Sequence, residues 1–262
     1  MSAQLKIALL QLDLAWENPS RNLENIDQYL VNLKEDTQLL LLPEMFTTGF
    51  SMTSAHLAEP MDGTTVNWMK RHAQTHDLYI GGSLQIKEDD KLYNRFVIVA
   101  PDGNVHQYDK WHAFSLAGEH EHFTRTIPVV DALVHGWKLR LQVCYDLRFP
   151  VTARNTSNYD CVVYVANWPA PRIHAWDTLL AARAIENMAY SIGLNRVGID
   201  GSGMPYPGHS QVYDALGHPQ GESPWTTAGV RYYSLKREHL DDTRSKLPFL
   251  SDRDDFTVEG DS

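Results

Sequence analysis

Cys144, Glu44 and Lys110 are three residues with complementary chemistry. Cys144 ends the run Leu139 to Val143 inside LQVCYDLRFP, Glu44 follows Leu39-Leu40-Leu41-Leu42-Pro43, and Lys110 closes Val105-His106-Gln107-Tyr108-Asp109. Each stands where a strand-like run gives way to polar residues, and in open α/β sheets the carboxyl ends of strands face the usual ligand crevice. A thiol near its free pKa is only partly ionised at neutral pH, so a nucleophilic cysteine needs a base and nearby positive charge. Glu44 could take the proton, and Lys110 could stabilise both the thiolate and the oxyanion of a tetrahedral intermediate. Such a set performs acyl transfer. Taken singly, each residue also has a plainer reading: a buried core cysteine, a helix-terminal or salt-bridged acid, a solvated turn lysine. Spacing alone does not bring them together.

The elements that must position these residues alternate along the chain. Lys6 to Leu12 reads as a strand, and Pro19-Ser20 opens a helix with Leu23, Ile26, Leu30 and Leu33 at helical spacing. Thr37 to Leu42 has the continuous apolar character of a strand covered on both sides. Thr64 to Thr75 reads as a helix capped by Thr64, and Leu78 to Gln85 and Asn94 to Val99 as strands with turns around the second. Lys138 to Tyr145 and Cys161 to Ala166 are further strands, with room for a crossover helix over Val151 to Tyr159. Between Arg172 and Tyr190, the residues Ile173, Trp176, Leu180, Ala184 and Asn187 share a helix face. Ile192 to Arg196, His209 to Tyr213 and Val230 to Leu235 complete a strand-rich C-terminal half, and Asp241 to Ser262 reads as a charged tail. This order implies an α/β protein with two sheets and outer helices, in one domain over residues 1–262.

Composition narrows the functions. Acidic residues outnumber Lys plus Arg by 33 to 23, which disfavours a non-specific grip on nucleic acid or an anionic membrane. The two cysteines, Cys144 and Cys161, give no disulfide framework and no cysteine-based zinc spacing, which fits a reducing cytoplasm. No apolar run approaches the length of a membrane span, and MSAQLKIALLQLDLAW reads as a first strand rather than a signal peptide. His120 and His122, with His112 and His135 nearby, read as local hydrogen-bonding groups rather than metal ligands. The glycine pairs are not phosphate loops, because no lysine and hydroxyl signature follows them.

The blocks LLLLPEMFTTGF, YDKWHAF, CYDLRFP, YVANWP and ARAIENMAYSIGLNRVG, in this order, resemble the nitrilase superfamily of carbon–nitrogen hydrolases from Lys6 to about Phe256. The resemblance implies a four-layer α-β-β-α sandwich of two mainly parallel or mixed sheets. It also implies a catalytic Glu-Lys-Cys triad on Glu44, Lys110 and Cys144. A second glutamate belongs to the family's pattern, and Glu119 in LAGEHEHF is the best match, with Glu121 the less favoured occupant; its role would be to position Lys110 or the substrate amide. Trp111 and Ala113 depart from the commonest form of that stretch. Asn195 and Arg196 would tie the second half of the fold to the site, while Arg183 and Glu186, three apart on the long helix, would interact on its surface.

Within the superfamily the chain is most similar to the omega-amidases, which implies hydrolysis of the terminal amide of small 2-oxo dicarboxylic acid monoamides such as 2-oxoglutaramate or 2-oxosuccinamate. The oxyanion would be held by Lys110 and the backbone N–H of Tyr145, and no metal or organic cofactor is needed for any step. A substrate carboxylate calls for a guanidinium: Arg172 is the first choice, and Arg148 the second unless it pairs with Asp146 or another acid. Phe46, Tyr145 and Trp168 are expected to wall the pocket. Nitrile or N-carbamoyl hydrolysis is the runner-up, since the same triad supports it, and a catalytically silent scaffold is a third reading; the 262-residue length, without the extensions of many nitrilases, favours the amidase. The family also suggests a cytoplasmic homodimer packed near the long helices.

Overall fold

The computed structural model describes residues 2–126 and 129–258. In chain order the strands of the first half are β1 (Gln4–Gln11), β2 (Leu39–Leu41), β3 (Tyr79–Glu88), β4 (Lys91–Val99) and β5 (Val105–Asp109). They are followed by β6 (Asp131–Val134), β7 (Trp137–Val143), β8 (Cys161–Ala166), β9 (Tyr190–Asn195), β10 (Val197–Ile199), β11 (Pro205–Pro207), β12 (Gln211–Tyr213) and β13 (Gly229–Lys236). The helices are α1 (Pro19–Leu30), α2 (Thr64–His76), the short α3 (Glu119–His122) and α4 (Pro150–Ala153), α5 (Ile173–Asn187) and α6 (Arg237–Lys246).

Two sheets form, ordered β13-β1-β2-β3-β4-β5 and β12-β9-β8-β7-β6, with a separate β10-β11 ribbon. Both are mixed rather than mainly parallel: β1-β2-β3 and β7-β8-β9 are parallel centres, and the flanking pairs are antiparallel. Hairpins join β3 to β4, β4 to β5 and β6 to β7, while β13 returns to β1 and β12 to β9 over longer connections; the parallel centres need crossovers, and among the described residues α1, α2 and α5 supply the helical ones.

Alternation along the strands builds the layers. Leu5, Ile7 and Leu9 of β1 face Leu139, Leu141 and Val143 of β7 and Val163 and Val165 of β8 in the core between the sheets. Ala8 and Leu10 point the other way, onto α1 and α2 through Ile26, Leu30, Val66 and Met69. On the far side Val162, Tyr164 and Ala166 of β8 meet Trp176, Leu180 and Ala184 of α5. The result is a helix–sheet–sheet–helix sandwich. Cys161 lies fully buried in the inter-sheet core, so its role is packing.

Helix α1 starts where Asn18 accepts the Arg21 N–H and Pro19 occupies a position whose missing N–H costs nothing. Helix α2 is capped differently from the expectation at Thr64. Gly63 is the cap residue, and the Glu59 carboxylate takes the Thr65 N–H and hydroxyl at 2.7 Å each, doing the work a cap side chain would do. The crossover helix expected over Val151 to Tyr159 shrinks to α4, because the Asn155 side chain bonds Tyr159 N, Tyr159 O and Asn187 O and holds the chain in a loop. Residues 241–246 of the expected tail belong to α6. Leu240 of that helix enters the inter-sheet core, and Arg237 pairs with Asp160 at 2.5 and 3.0 Å. Residues 259–262 lie outside the described residues. Among the described residues no helix is long and apolar enough to cross a membrane.

Close approach of α5 to β9 depends on Gly193, where an added Cβ would lie 2.3 Å from Leu180 Cδ1 and 2.7 Å from Trp176 Cζ2. Gly193→Ala is expected to cost about 2–3 kcal/mol through overpacking, read as a lower denaturation midpoint with an unchanged slope.

Candidate active site

Glu44 follows β2, Lys110 follows β5 and Cys144 follows β7, each just past the carboxyl end of its strand. The carboxylate and ammonium come from one sheet and the thiol from the other. Lys110 Nζ is 2.9 Å from Glu44 Oε1 and 2.9 Å from each Glu119 oxygen, and all three side chains are almost wholly buried. Glu121, by contrast, is exposed, which leaves the second-glutamate position to Glu119.

Two buried carboxylates around one ammonium persist only if their remaining lone pairs are satisfied. Asn94, near the start of β4, donates to Glu44 Oε1 at 2.8 Å and to Glu119 Oε1 at 3.1 Å. Its orientation is set by Ser83, whose hydroxyl donates to Asn94 Oδ1 at 2.8 Å and accepts the Met45 N–H at 2.9 Å. Glu44 Oε2 accepts the Asn167 N–H at 2.8 Å, and Glu119 Oε2 accepts the Phe114 N–H at 2.6 Å. Although burial disfavours its charge, Glu119 and Glu44 hold the Lys110 ammonium well above the ordinary lysine range. Burial pushes the Glu119 carboxyl up, as does Glu44, with Lys110 opposing.

The expected strand through Tyr145 stops at Val143, and residues 144–148 form a tight 3₁₀ turn. Cys144 adopts a left-handed backbone (φ +47°), uncommon for a residue with a Cβ, and its half-buried thiol lies 3.9 Å from the Asn167 carbonyl. Burial and the neighbouring Glu44 charge raise the thiol well above the ordinary cysteine range, and Lys110 only partly offsets them. Burial and Glu44 thus both favour the protonated sulfur, an arrangement that suits base-assisted attack.

Above it opens a cavity of about 280 Å³ whose lining includes Cys144, Lys110, Tyr145, Arg148, Trp168 and Arg172. Arg172 lies over the Phe114 ring at 5.0 Å, and Arg148 over Trp168 at 5.1 Å. Among the described residues neither has a carboxylate within ion-pair distance; Arg148 does not pair with Asp146. Asp200, also in the lining, is occupied by Ser202, Met204 and Tyr206. Asn195 holds the Trp168 loop through Trp168 N at 2.7 Å and Trp168 O at 2.9 Å. Arg196 is fully buried, bonds the Leu14 carbonyl and lies behind Tyr206.

Phe46 is not a pocket wall. Its ring lies in the core against Trp68, above Gly82, where an added Cβ would come within 2.9 Å of it, because the turn after Glu44 sends this side chain toward α2. Phe50 takes the pocket position instead, 5.2 Å from Lys110 Nζ to its ring centroid, and Met52, Phe114, Leu116, Met204 and Tyr206 complete the apolar lining. Nor do Arg183 and Glu186 pair on the surface: Arg183 is buried and also donates to the Leu147 carbonyl at 2.7 Å, tying α5 to the cysteine turn. Asn94 and Asn167 were missed although each stands beside a recognisable strand, for asparagine there signals a turn as readily as a ligand.

Comparison with known proteins places this geometry. Residues 6–245 match the family model described as carbon-nitrogen hydrolase. The chain is 43% identical over 254 residues to the omega-amidase YafV of Yersinia enterocolitica, covering 97% of this chain and 98% of that one. It is 28% identical over 256 residues to the 2-oxoglutaramate amidase of Bacillus subtilis, covering 94% and 96%. A crystal structure of a CN-hydrolase superfamily protein from Xanthomonas campestris, which holds an arsenic adduct in its active site, matches with a TM-score of 0.95 at 37% identity, covering 98% of this chain and 100% of that one. Fold, motif order and sequence agree, and the chain belongs to the carbon–nitrogen hydrolase family of the nitrilase superfamily as an enzyme with a catalytic cysteine.

Proposed function

We propose that this chain is an omega-amidase that removes ammonia from the terminal amide of a small 2-oxo dicarboxylic acid monoamide, 2-oxoglutaramate or 2-oxosuccinamate, with Cys144, Glu44 and Lys110 as the catalytic triad. The observation that carries the substrate class is the pair of guanidiniums, Arg172 and Arg148, lining the same small cavity as the thiol without an acid partner among the described residues. A substrate carboxylate would supply that partner in bidentate geometry. The same positive field disfavours the ammonium of glutamine. The similarity to proteins named omega-amidase and 2-oxoglutaramate amidase supports the same substrate class.

In this mechanism Glu44 takes the thiol proton as Cys144 Sγ attacks the amide carbon, and the oxyanion is met by Lys110 and the Tyr145 N–H. That amide lies in the first residues of the 3₁₀ turn, where N–H groups have no partner within the turn. Glu44 passes its proton to the departing nitrogen, the C–N bond breaks, and ammonia leaves a thioester. Water then attacks the thioester carbon while Glu44 takes one of its protons, the C–S bond breaks, and that proton returns to sulfur as the acid is released. Glu119 positions Lys110 throughout. The reading extends to a cytoplasmic homodimer packed near α5, on which Ile185 is left about half exposed.

The test is ammonia release from 2-oxoglutaramate, 2-oxosuccinamate, glutamine, a simple nitrile and an N-carbamoyl amino acid, with Cys144→Ala alongside. Turnover of the 2-oxo amides that vanishes in Cys144→Ala supports the reading; turnover confined to the nitrile or the carbamoyl compound replaces the substrate class, and no turnover of any favours the silent scaffold. Arg172→Ala is expected to raise KM for the 2-oxo amides roughly 30-fold, the equivalent of about 2 kcal/mol, with kcat nearly unchanged. An unchanged KM would move the carboxylate subsite to Arg148.

A further inference from the structure

The mechanism leaves one fully buried carboxylate without a role. Asp146 sits in the turn beneath Cys144, away from the cavity, and makes four hydrogen bonds through its two oxygens. Oδ2 accepts the Val143 N–H at 2.9 Å and the Tyr108 hydroxyl at 2.9 Å. Oδ1 takes the His112 N–H at 3.0 Å and His112 Nδ1 at 2.8 Å. The Tyr108 hydroxyl in turn accepts the Trp111 N–H at 3.2 Å, and the His112 ring stacks on Phe149 with centroids 3.7 Å apart.

These partners are not scattered. Val143 immediately precedes the nucleophile, whereas Tyr108, Trp111 and His112 bracket Lys110 on both sides. Glu44 and Glu119 fix the end of the lysine side chain, but nothing in that cluster fixes its backbone relative to the thiol on the opposite sheet. Asp146 does so. We propose that Asp146, acting with Tyr108, is a positioning residue that locks the lysine-bearing strand end to the cysteine turn and holds Cys144 in its left-handed conformation. A residue with a Cβ does not keep such a backbone by its own preference, so its surroundings must impose it. Each oxygen faces a backbone N–H, from Val143 and from His112, so both must accept, which a carboxylate does and an asparagine amide does not. The inference rests on the proposed triad, since it concerns how Lys110 and Cys144 meet.

The experiment compares wild type, Asp146→Asn and Tyr108→Phe on the best amide of the panel. Folded protein is counted by the amplitude of the cooperative urea transition, so that kcat refers to folded sites. With a misplaced Lys110, kcat per folded chain is expected to fall about 100-fold in Asp146→Asn and about tenfold in Tyr108→Phe, while KM stays within roughly threefold. A merely structural aspartate would reduce the folded fraction and leave each folded chain at the wild-type rate, and that result overturns the proposal. So does a rise in KM that accounts for the whole loss of kcat/KM. If Asp146→Asn does not fold, Tyr108→Phe decides alone: it removes one hydroxyl, and a wild-type kcat in that variant also overturns the proposal. Failure of the triad is distinguishable, because it appears in the controls as amide turnover that survives Cys144→Ala.

Discussion

Lys110→Met should lose amide turnover by about 10³-fold or more and destabilise the protein by ~3–5 kcal/mol at neutral pH. The two losses have one origin. Lys110 offers positive charge to the developing oxyanion, and it is also the cation shared by two buried carboxylates at 2.9 Å. Methionine fills the volume but leaves Glu44 and Glu119 facing each other with only Asn94 between them. The deficit should depend on pH with a definite sign. Burial and Glu44 already raise the Glu119 carboxyl, and removing Lys110 takes away the largest influence that lowers it, leaving the Phe114 N–H. A carboxyl whose folded pKa lies above its unfolded value takes up a proton more readily when folded, so the variant should recover stability as pH falls and show its full deficit above the folded pKa. Urea midpoints of wild type and variant between pH 5 and about 8 would measure this; a deficit that grows on acidification would show that the two carboxylates are not the source.

Glu44→Gln should separate two reactions that wild type performs with the same sulfur. Amide hydrolysis needs the carboxylate three times, to accept the thiol proton, to protonate departing ammonia and to activate water, so turnover should fall about 10³-fold. Alkylation by iodoacetamide needs only a nucleophilic sulfur. Next to burial, the Glu44 charge is the largest influence raising the thiol, and glutamine removes it while Lys110 remains to favour the thiolate. Alkylation should therefore stay within roughly tenfold of wild type. Ammonia release and alkylation kinetics on one preparation test this directly. Parallel collapse of both would mean that Glu44 shapes the turn rather than moving protons.

Glu44, Lys110 and Cys144 stood out singly because each closes a strand-like run, and it is the order of the motifs around them, resembling a known family, that joined them into one proposed triad. The layers were legible because alternation in β1 and the spacing of Trp176, Leu180 and Ala184 show which face each element buries. Loop direction was not. Phe46 lies two residues after Glu44 and still turns into the core, whereas Phe50 reaches the pocket, and no periodicity encodes that turn. The groups that hold the reactive atoms were also hidden. Asn94 and Asp146 are ordinary polar residues until the strands are assembled, since Glu44 is 50 positions from the first and Tyr108 38 positions from the second. A cap expected at Thr64 was supplied instead by Glu59, a substitution that local propensity does not register.

The division of the site between two sheets has a mechanical meaning. The carboxylate rides on β2 and the sulfur on β7, and between those strands lies a filling of leucine, valine and isoleucine, close-packed and nearly incompressible. That filling acts as a spacer as well as an adhesive: under the proposed mechanism its thickness helps to set how far the proton travels between sulfur and oxygen. A methyl group removed deep in the interior would then be expected to alter the gap at the mouth without touching either atom. In the proposed triad the hydrophobic interior is in that sense a spacer for the reacting pair.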